Sequence, residues 1–266
     1  YIDHLKNENY NSKNLDLRSI KILTSTGSPL AEESFNYIYK NIKKDVHLAS
    51  IAGGTDLVGC LVLGNLFSNV YKGEIQGQSL GIDVDVFTDD GKSTADGEKG
   101  ELVVKQPFPS MPVKFWGDDN GEKYHKAYFT KYKNIWHHGD FIERTSYNGF
   151  IMRGRSDSTL NPGGVRIGTS EIYQQVEDID FITEGLVVGQ DFDDDVRIIL
   201  FVTTKNNQEL NDEKIKSIKS KIRKNCSPKH VPTIIIKGPE IPKTKSGKIV
   251  ELAVRQVING EQINNK

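Results

Sequence analysis

Hydrophobic and polar positions follow three rhythms along this chain, and each predicts a different structure. Ile20–Ser25 reads as a short strand. Gly27-Ser28-Pro29 then turns the chain into a predicted helix, with Ser28 as N-cap and Pro29 at the first helical position. Phe35, Ile38, Tyr39 and Ile42 follow at helical spacing and give one apolar stripe. Val46–Ala52 reads as the next strand. Strand, helix and strand in that order predict the end of a parallel α/β sheet.

From Gly73 to Arg153 the period shortens. Asp83–Phe87 alternates, Asp89-Asp90-Gly91 supplies a turn, and Gly100–Lys105 resumes as strand. Asn148-Gly149 predicts a two-residue hairpin turn between strands at Asp140–Thr145 and Phe150–Arg153. This middle third is expected to be a small antiparallel β unit. After Arg155 the pattern is α/β again. Thr169 is expected to cap a helix carrying Ile172, Val176 and Ile179 on one face. Gly185–Gly189 and Val196–Thr204 read as strands, the second rich in β-branched residues. Asp212 opens a basic helix with Ile215, Ile218 and Ile222 inward and lysines outward, and Val250–Ile258 forms a last helix. A boundary is expected near Arg155–Asp157, and no internal repeat is visible.

Composition narrows the possibilities. At 266 residues the chain is long enough for one large or two small domains, each with a real core. Lys+Arg 35 against Asp+Glu 36 leaves a formal net charge of -1, which implies no global pull toward nucleic acid or an anionic membrane. Cys60 and Cys226 make no disulfide framework and neither has metal-ligand spacing, so a reducing, cytoplasmic setting is expected. The most apolar stretch, His47–Phe67, is broken by Asp56 and several glycines, which suits a buried strand and its turns rather than a membrane span. The chain opens with Tyr1, and Asp3–Asp16 is polar and Asn/Lys-rich, without the character of a targeting peptide.

Four segments combine glycine with charge. In Ala52-Gly53-Gly54-Thr55-Asp56 the glycines allow a ligand close to the backbone, the hydroxyl suits a phosphate oxygen, and the carboxylate suits Mg²⁺. Read alone, it is more simply a tight turn in which Asp56 caps a neighbour. In Trp136-His137-His138-Gly139-Asp140, the carboxylate after glycine is suited to ribose hydroxyls, or to an ordinary capping role. The adjacent histidines would face opposite sides of a strand and are expected to be solvated rather than joint metal ligands. The run Gly154–Gly168 offers Arg155 and Arg166 as planar forks for phosphate or ribose oxygens, with Gly163-Gly164 as a backbone that a thin ligand could cross; Glu171 follows at a helix start. An ordinary linker would look the same. Pro242-Lys243-Thr244-Lys245-Ser246-Gly247-Lys248 is a mobile basic loop able to deliver an ammonium group, or a solvated surface loop.

In order and spacing, the four segments together resemble the adenylate-forming superfamily of acyl-CoA synthetases, from about Arg18 to Gly260. Ser25-Thr26-Gly27-Ser28-Pro29-Leu30, Val70-Tyr71-Lys72-Gly73-Glu74-Ile75-Gln76, Thr159-Leu160-Asn161-Pro162 and Lys229-His230-Val231-Pro232 resemble its acetoacetate-activating branch. The resemblance implies an α/β fold. Residues 1–155 would be the C-terminal part of the large nucleotide- and acyl-binding domain: the end of a parallel α/β sheet plus a small antiparallel β unit. Residues 156–266 would be a small, mobile α+β C-terminal AMP-binding domain.

It also implies site roles. Gly27, Ser28 and Pro29 would border adenine, Gly54 and Thr55 would lie at the nucleotide with Thr55 touching the α-phosphate, and Asp56 would help hold Mg²⁺. Asp140 and Arg155 would bind the ribose. Arg166 would meet ATP phosphates, and Gly163 and Gly164 would serve CoA, with Gly164 against its pantetheine arm. Asp157 would be the hinge and Lys248 the adenylation lysine. Gly53 stands near the position where acetyl-CoA synthetases carry a pocket-closing tryptophan, so a longer acid such as acetoacetate is expected to fit. The implied reaction joins acetoacetate to CoA with ATP and Mg²⁺, and small molecules are the expected partners. The Ser/Thr/Gly-rich phosphate loop of the family's first half is absent, so the chain is expected to be a C-terminal portion that does not complete adenylation alone.

Overall fold

The sequence begins with a short helix, α1 (Ile2–Asn7), whose Ile2 joins a small apolar cluster under the first strands. A computed structural model describes residues 1–245 and 247–263, apart from the side chains of Asp3 and Asn7. It forms two compact units that divide between Met152 and Arg153. Each is described by itself.

In the first unit, β1 (Ile22–Ser25) and β2 (His47–Ser50) pair in parallel, with Ile22 opposite His47 and Ser25 opposite Ser50. The helix between them, α2 (Glu32–Tyr37), continues through a π turn at Ile38–Ile42. Phe35 and Ile38 are buried against Val46 and Leu48, with Tyr39 and Ile42 packed beside them, so the predicted stripe is the buried face. The helix starts later than expected. Its N-cap is Ala31, not Ser28, and Pro29 stays outside it. Proline disfavours helical geometry in Ser28, Leu30 turns into the apolar cluster, and Glu32 and Glu33 suit the first turn of a helix beginning there.

Two antiparallel sheets follow. β3 (Ala52–Gly54), β4 (Gly59–Leu63) and β5 (Gly77–Gln78) form a three-stranded sheet. β6 (Val84–Phe87), β7 (Lys99–Val104), β8 (Trp136–Arg144) and β9 (Phe150–Arg155) form the other, in that order, with the single-turn-pair helix α3 (Glu122–Tyr128) before β8. One apolar core serves both, including Leu57, Leu61, Val86, Leu102, Trp136 and Ile142, all at most 2% exposed. Each such aliphatic side chain contributes about 1.5–3 kcal/mol by burial. The hairpin between β8 and β9 is not the expected two-residue turn. Thr145 N–H bonds the Gly149 carbonyl at 2.9 Å and Asn148 N–H bonds the Thr145 carbonyl at 3.1 Å. The loop is therefore Ser146–Asn148, closed by Asn148 at φ +60°, a conformation Asn tolerates.

In the second unit, α4 (Thr169–Val176), β10 (Ile182–Phe192), β11 (Asp195–Thr204), α5 (Asp212–Asn225), β12 (Ile234–Lys237) and α6 (Glu251–Ile258) follow in order. β10–β11–β12 is one sheet, antiparallel then parallel. Asp193 and Asp194, at φ +54° and +59°, make the tight β10–β11 turn. Gly168, not Thr169, is the N-cap of α4: its N–H bonds Glu171 Oε1 at 2.9 Å. A Cβ at Gly168 would lie 2.2 Å from the Arg153 carbonyl oxygen, which explains the glycine.

Alternation along the strands gives this sheet two distinct faces. Val187, Ile198, Leu200 and Val202 point to one face, with Leu160, Ile167, α4 and α5. Leu186, Val188 and Ile199 point to the other, where Ile241, Ile249 and α6 residues Val254 and Ile258 cover them. Among the described residues no helix is long and apolar enough to cross a membrane.

Candidate functional site

The parallel pair ends with Ser25 beside Ser50, and Ile51 N–H bonds the Ser25 carbonyl at 2.9 Å. Two exposed loops leave this edge together: Gly27-Ser28-Pro29, with Gly27 at φ +96°, and the β3–β4 turn carrying Thr55 and Asp56. Loops at the carboxyl ends of parallel strands are the usual ligand position in α/β sheets. The topology thus brings Gly27–Pro29 and the first of the four glycine-and-charge segments to the chain exits at one edge.

The β3–β4 turn needs its glycines. A Cβ on Gly53 would fall 2.2 Å from the Gly59 carbonyl oxygen, and one on Gly54 would fall 2.0 Å from Asp56 Oδ1 and 3.0 Å from His138 Cε1. Val58, 88% exposed, sits at φ +49° in this turn, an unusual conformation for a β-branched residue. The Asp56 carboxylate accepts a hydrogen bond from the Tyr128 hydroxyl. Tyr128 stacks on Trp136 with ring centroids 3.6 Å apart. Trp136 Nε1–H points to His138 Nδ1 at 3.4 Å, and His138 Nε2 lies 3.6 Å from Asp140 Oδ2. Asp56 and Asp140 are therefore linked by a run of aromatic side chains.

A bulge aims Asp140. The β7–β8 register pairs Val103 with His137 and Glu101 with Phe141, so His138, Gly139 and Asp140 face Leu102 alone. Gly139, at φ +81°, permits the bend. The histidines do face opposite ways, but they are not a solvated pair. His138 is buried beside Asp140, and His137 Nε2 lies 2.9 Å from Glu101 Oε2. Glu101 is fully buried and also accepts from Lys131 Nζ at 2.7 Å. A buried carboxylate across from His137 demands partners, and the strand register supplies that one.

In the second unit, Asp157 lies in a short 3₁₀ turn, Ser156–Ser158. Arg155 Nε is 3.8 Å from the Asp157 carboxylate, and Arg255 of α6 donates to the Asp157 carbonyl at 3.0 Å. Residues 161–166 form a loop clamped at its base by Leu160 and Ile167, which exchange hydrogen bonds of 2.9 and 2.8 Å. Inside it Gly163 and Gly164 are at φ +56° and +74°. Gly163 N–H bonds Asp195 Oδ1 at 2.7 Å, and Lys229 Nζ would lie 2.1 Å from a Cβ there. The Gly163 and Val196 N–H groups hold the Asp195 carboxyl below its ordinary range. Arg166 Nε donates to Thr159 Oγ1 at 3.2 Å. Beside Gly164 is an open pocket of about 530 Å³ lined also by Asn161, Phe192 and Asp191.

The last segment is closed by backbone hydrogen bonds among its described residues. Lys243 bridges Ile249, Thr244 N–H bonds the Lys248 carbonyl at 2.8 Å, and Gly247 N–H bonds the Thr244 carbonyl at 2.9 Å. Ser246 lies outside the described residues. Lys248 is exposed at the end of the turn. Three residues on, Glu251 accepts from the Tyr173 hydroxyl at 2.5 Å and also bonds Ser158 and Thr169. Burial pushes the Glu251 carboxyl above its ordinary range, and burial with the Glu251 charge pushes the Tyr173 hydroxyl well above its own.

Loop 161–166 and the lysine turn are anchored on opposite faces of the sheet, through Leu160 and Ile167 on one and Ile241 and Ile249 on the other. Sequence reasoning missed Tyr128, Trp136, His138, Asp195 and Glu251. Trp136 and His138 stood inside a quoted motif; the others carried no local signal. Asp56 offers an exposed carboxylate in the β3–β4 turn, and no cluster of three His, Cys, Asp or Glu side chains able to hold a metal is present among the described residues. That suits Mg²⁺, which takes one or two carboxylates and completes its shell with phosphate oxygens and water. Asp56 fits that part.

No family model matches the chain. The sequence is 54% identical over 267 residues to acetoacetyl-coenzyme A synthetase of Rhizobium meliloti (strain 1021), covering 100% of this chain and 41% of that protein. It is 44% identical over 253 residues to acetoacetyl-CoA synthetase of Gallus gallus, covering 94% of this chain and 38% of that protein. Among solved structures, acetoacetyl-CoA synthetase from Streptomyces lividans matches with a TM-score of 0.88 at 37% identity, over 98% of this chain and 40% of that one. The anthranilate CoA ligase AuaEII, solved in complex with anthranoyl-AMP, matches with a TM-score of 0.78 at 20% identity, over 92% and 46%, and shows the shared fold alone. The chain spans about two fifths of the length of the curated relatives it matches.

Proposed function

The chain belongs to the acetoacetyl-CoA synthetase family, corresponding to its C-terminal part, and from that premise we propose that the protein is an ATP-dependent acid–thiol ligase acting on acetoacetate and CoA. In the first step an acetoacetate oxygen attacks the α-phosphorus of ATP, and pyrophosphate leaves. In the second the CoA sulfur attacks the acyl carbonyl; the thiol proton is lost, AMP leaves, and acetoacetyl-CoA remains.

The chemical difficulty is that the attacking carboxylate and the α-phosphate are both anionic. Lys248 is the residue that relieves this repulsion, with Thr55 at the α-phosphate. Asp56, oriented by Tyr128, would hold Mg²⁺, which when bound neutralises phosphate charge. Asp140 and Arg155 hold the ribose, Gly27, Ser28 and Pro29 border adenine, and Gly54 lets the nucleotide approach the backbone. Arg166 contacts phosphate. Gly163 and Gly164 serve the CoA arm in the second step, where a neutral pantetheine suits a pocket with an acidic rim. In this reading residues 1–155 belong to the large nucleotide- and acyl-binding domain, and residues 156–266 are a mobile domain pivoting at Asp157.

One observation carries the reading: the lysine turn and the Gly163-Gly164 loop sit on opposite faces of one small sheet. Two successive chemistries are served in turn by such an arrangement, with a change of domain orientation between them. Gly53 leaves the acyl end without a wall, and the hairpin itself keeps it so, because a side chain there meets the Gly59 carbonyl.

The test uses Lys248→Ala in the full-length polypeptide, including the upstream length that the relatives carry. Acid-dependent pyrophosphate exchange is expected to be lost, while thioester formation from supplied acetoacetyl-adenylate is largely kept. Equal loss of both half-reactions would reject the assignment of Lys248. Exchange measured with acetate, propionate, butyrate and acetoacetate tests the substrate, with acetoacetate expected to dominate.

A further inference from the structure

The turn that ends in Lys248 occurs three times among the described residues. At Thr88, the residue's own N–H bonds the Lys92 carbonyl at 2.8 Å, Gly91 N–H bonds the Thr88 carbonyl at 3.0 Å, and Lys92 N–H bonds Thr88 Oγ1 at 3.2 Å. At Thr145 the matching bonds to Gly149, from Asn148, and from Gly149 to Oγ1 are 2.9, 3.1 and 3.2 Å. At Thr244 they are 2.8, 2.9 and 3.1 Å. Each turn closes on a residue with positive φ: Gly91 at +80°, Asn148 at +60° and Gly247 at +84°. Each time, the threonine hydroxyl ties off the amide of the residue four positions on.

Two of these turns end in lysine, and their differences are informative. Asp90 Oδ2 lies 2.7 Å from Lys92 Nζ, so that ammonium is neutralised within its own turn. The sequence of the other, Thr244-Lys245-Ser246-Gly247-Lys248, has no carboxylate, so nothing in that sequence can cancel the charge. The turn is also fixed to the sheet. Lys243 Nζ pairs with Glu184 of β10, Val250 N–H bonds the Pro242 carbonyl at 3.3 Å, and Ile249 packs with Leu186 and Val188. Lys248 therefore has both its N–H and its carbonyl committed to one residue, Thr244, while its side chain extends into solvent.

We propose that Thr244 is a positioning residue for the first half-reaction: its hydroxyl fixes the backbone from which the Lys248 ammonium is presented. The inference rests on the reading of Lys248 given above. A lysine stem has many rotamers, and its reach is set by the direction in which its Cα–Cβ bond points. Removing the hydroxyl leaves the Lys248 amide to water and lets the root of the stem swing. The ammonium then spends less time where charge develops, and adenylation slows while the thiol step does not.

The experiment compares Thr244→Val, Thr244→Ser, Thr88→Val and Lys248→Ala in the full-length polypeptide, following both half-reactions and the unfolding midpoint. Lys248→Ala comes first; if it does not selectively abolish pyrophosphate exchange, the reading of Lys248 fails, and Thr244 loses its premise with it. Given that selective loss, Thr244→Val is expected to slow exchange about tenfold and to leave thioester formation from supplied adenylate within about twofold. Thr244→Ser, which keeps the hydroxyl, restores exchange. Thr88→Val removes the same bond from the sister turn and is expected to lower the unfolding midpoint without changing either half-reaction. Unchanged exchange in Thr244→Val, equal slowing of both steps, or a similar loss in Thr88→Val would each overturn the proposal.

Discussion

In the first unit, Asp56 and Asp140 are held by other side chains: the Tyr128 hydroxyl, the Tyr128–Trp136 stack and buried His138. In the second, Lys248 and Gly163 are held at the backbone, each through one anchoring side chain, Thr244 or Asp195. The first arrangement suits groups that must keep one position against a bound nucleotide, because packed aromatic rings leave few alternatives. The second fixes the backbone and leaves what it carries open to solvent. A short closed turn holds its shape through its own hydrogen bonds, and it leaves the Lys248 side chain exposed.

The contrast is broken most sharply at Trp136. Trp136→Ala removes a side chain 2% exposed that stacks on Tyr128, and it is expected to destabilise the first unit by about 3–5 kcal/mol. Thermal unfolding that resolves the two units should show the first transition falling and the second unmoved. If the midpoint barely changes, the aromatic run is not what holds Asp56 and Asp140.

Tyr128→Phe is a finer cut, since it keeps the ring and removes only the hydroxyl. A loss of about 0.5–1.5 kcal/mol is expected, together with a higher Mg²⁺ requirement for pyrophosphate exchange. An unaltered Mg²⁺ titration would mean that Asp56 does not depend on Tyr128.

The smallest effect concerns pH in the second unit. The raised value of Glu251 means that the native state binds its proton more tightly than the unfolded chain does. That stabilisation is complete below the ordinary carboxylate range and is lost as pH rises through the raised value. Glu251→Gln cannot ionise, so its melting midpoint should gain on the wild type between pH 4 and pH 8. A gap that stays constant across that range would contradict the assignment.

How much of this was legible depended on the range of the signal. Alternation at Val196–Thr204 and helical spacing at Ile215, Ile218 and Ile222 report a local period, and β11 and α5 follow it. The segment order that placed the chain in its family was equally readable, because it is linear. Contacts between distant segments were not. Tyr128 meets Asp56 across 72 positions, and Asp195 meets Gly163 across 32. The bulge at His138–Asp140 depends on β7, so the pair of histidines read as solvated when one is packed against Asp140 and the other against Glu101. Even the threonine turns are not given by spacing alone. Thr94 and Gly97 stand as far apart as Thr244 and Gly247, yet Gly97 N–H bonds the Arg144 carbonyl instead, at 2.8 Å.

Gly247 has a stereochemical consequence. Its φ of +84° lies where an L side chain is strained, yet among the described residues no atom beyond its chain neighbours stands within 4 Å of the place a Cβ would occupy. Handedness, rather than bulk, disfavours most other residues there, with Asn the tolerated exception, as Asn148 shows in the sister turn. A mirror-image alanine introduced by peptide ligation would fit where the natural enantiomer would not, and it would stiffen the approach to Lys248 without adding a collision.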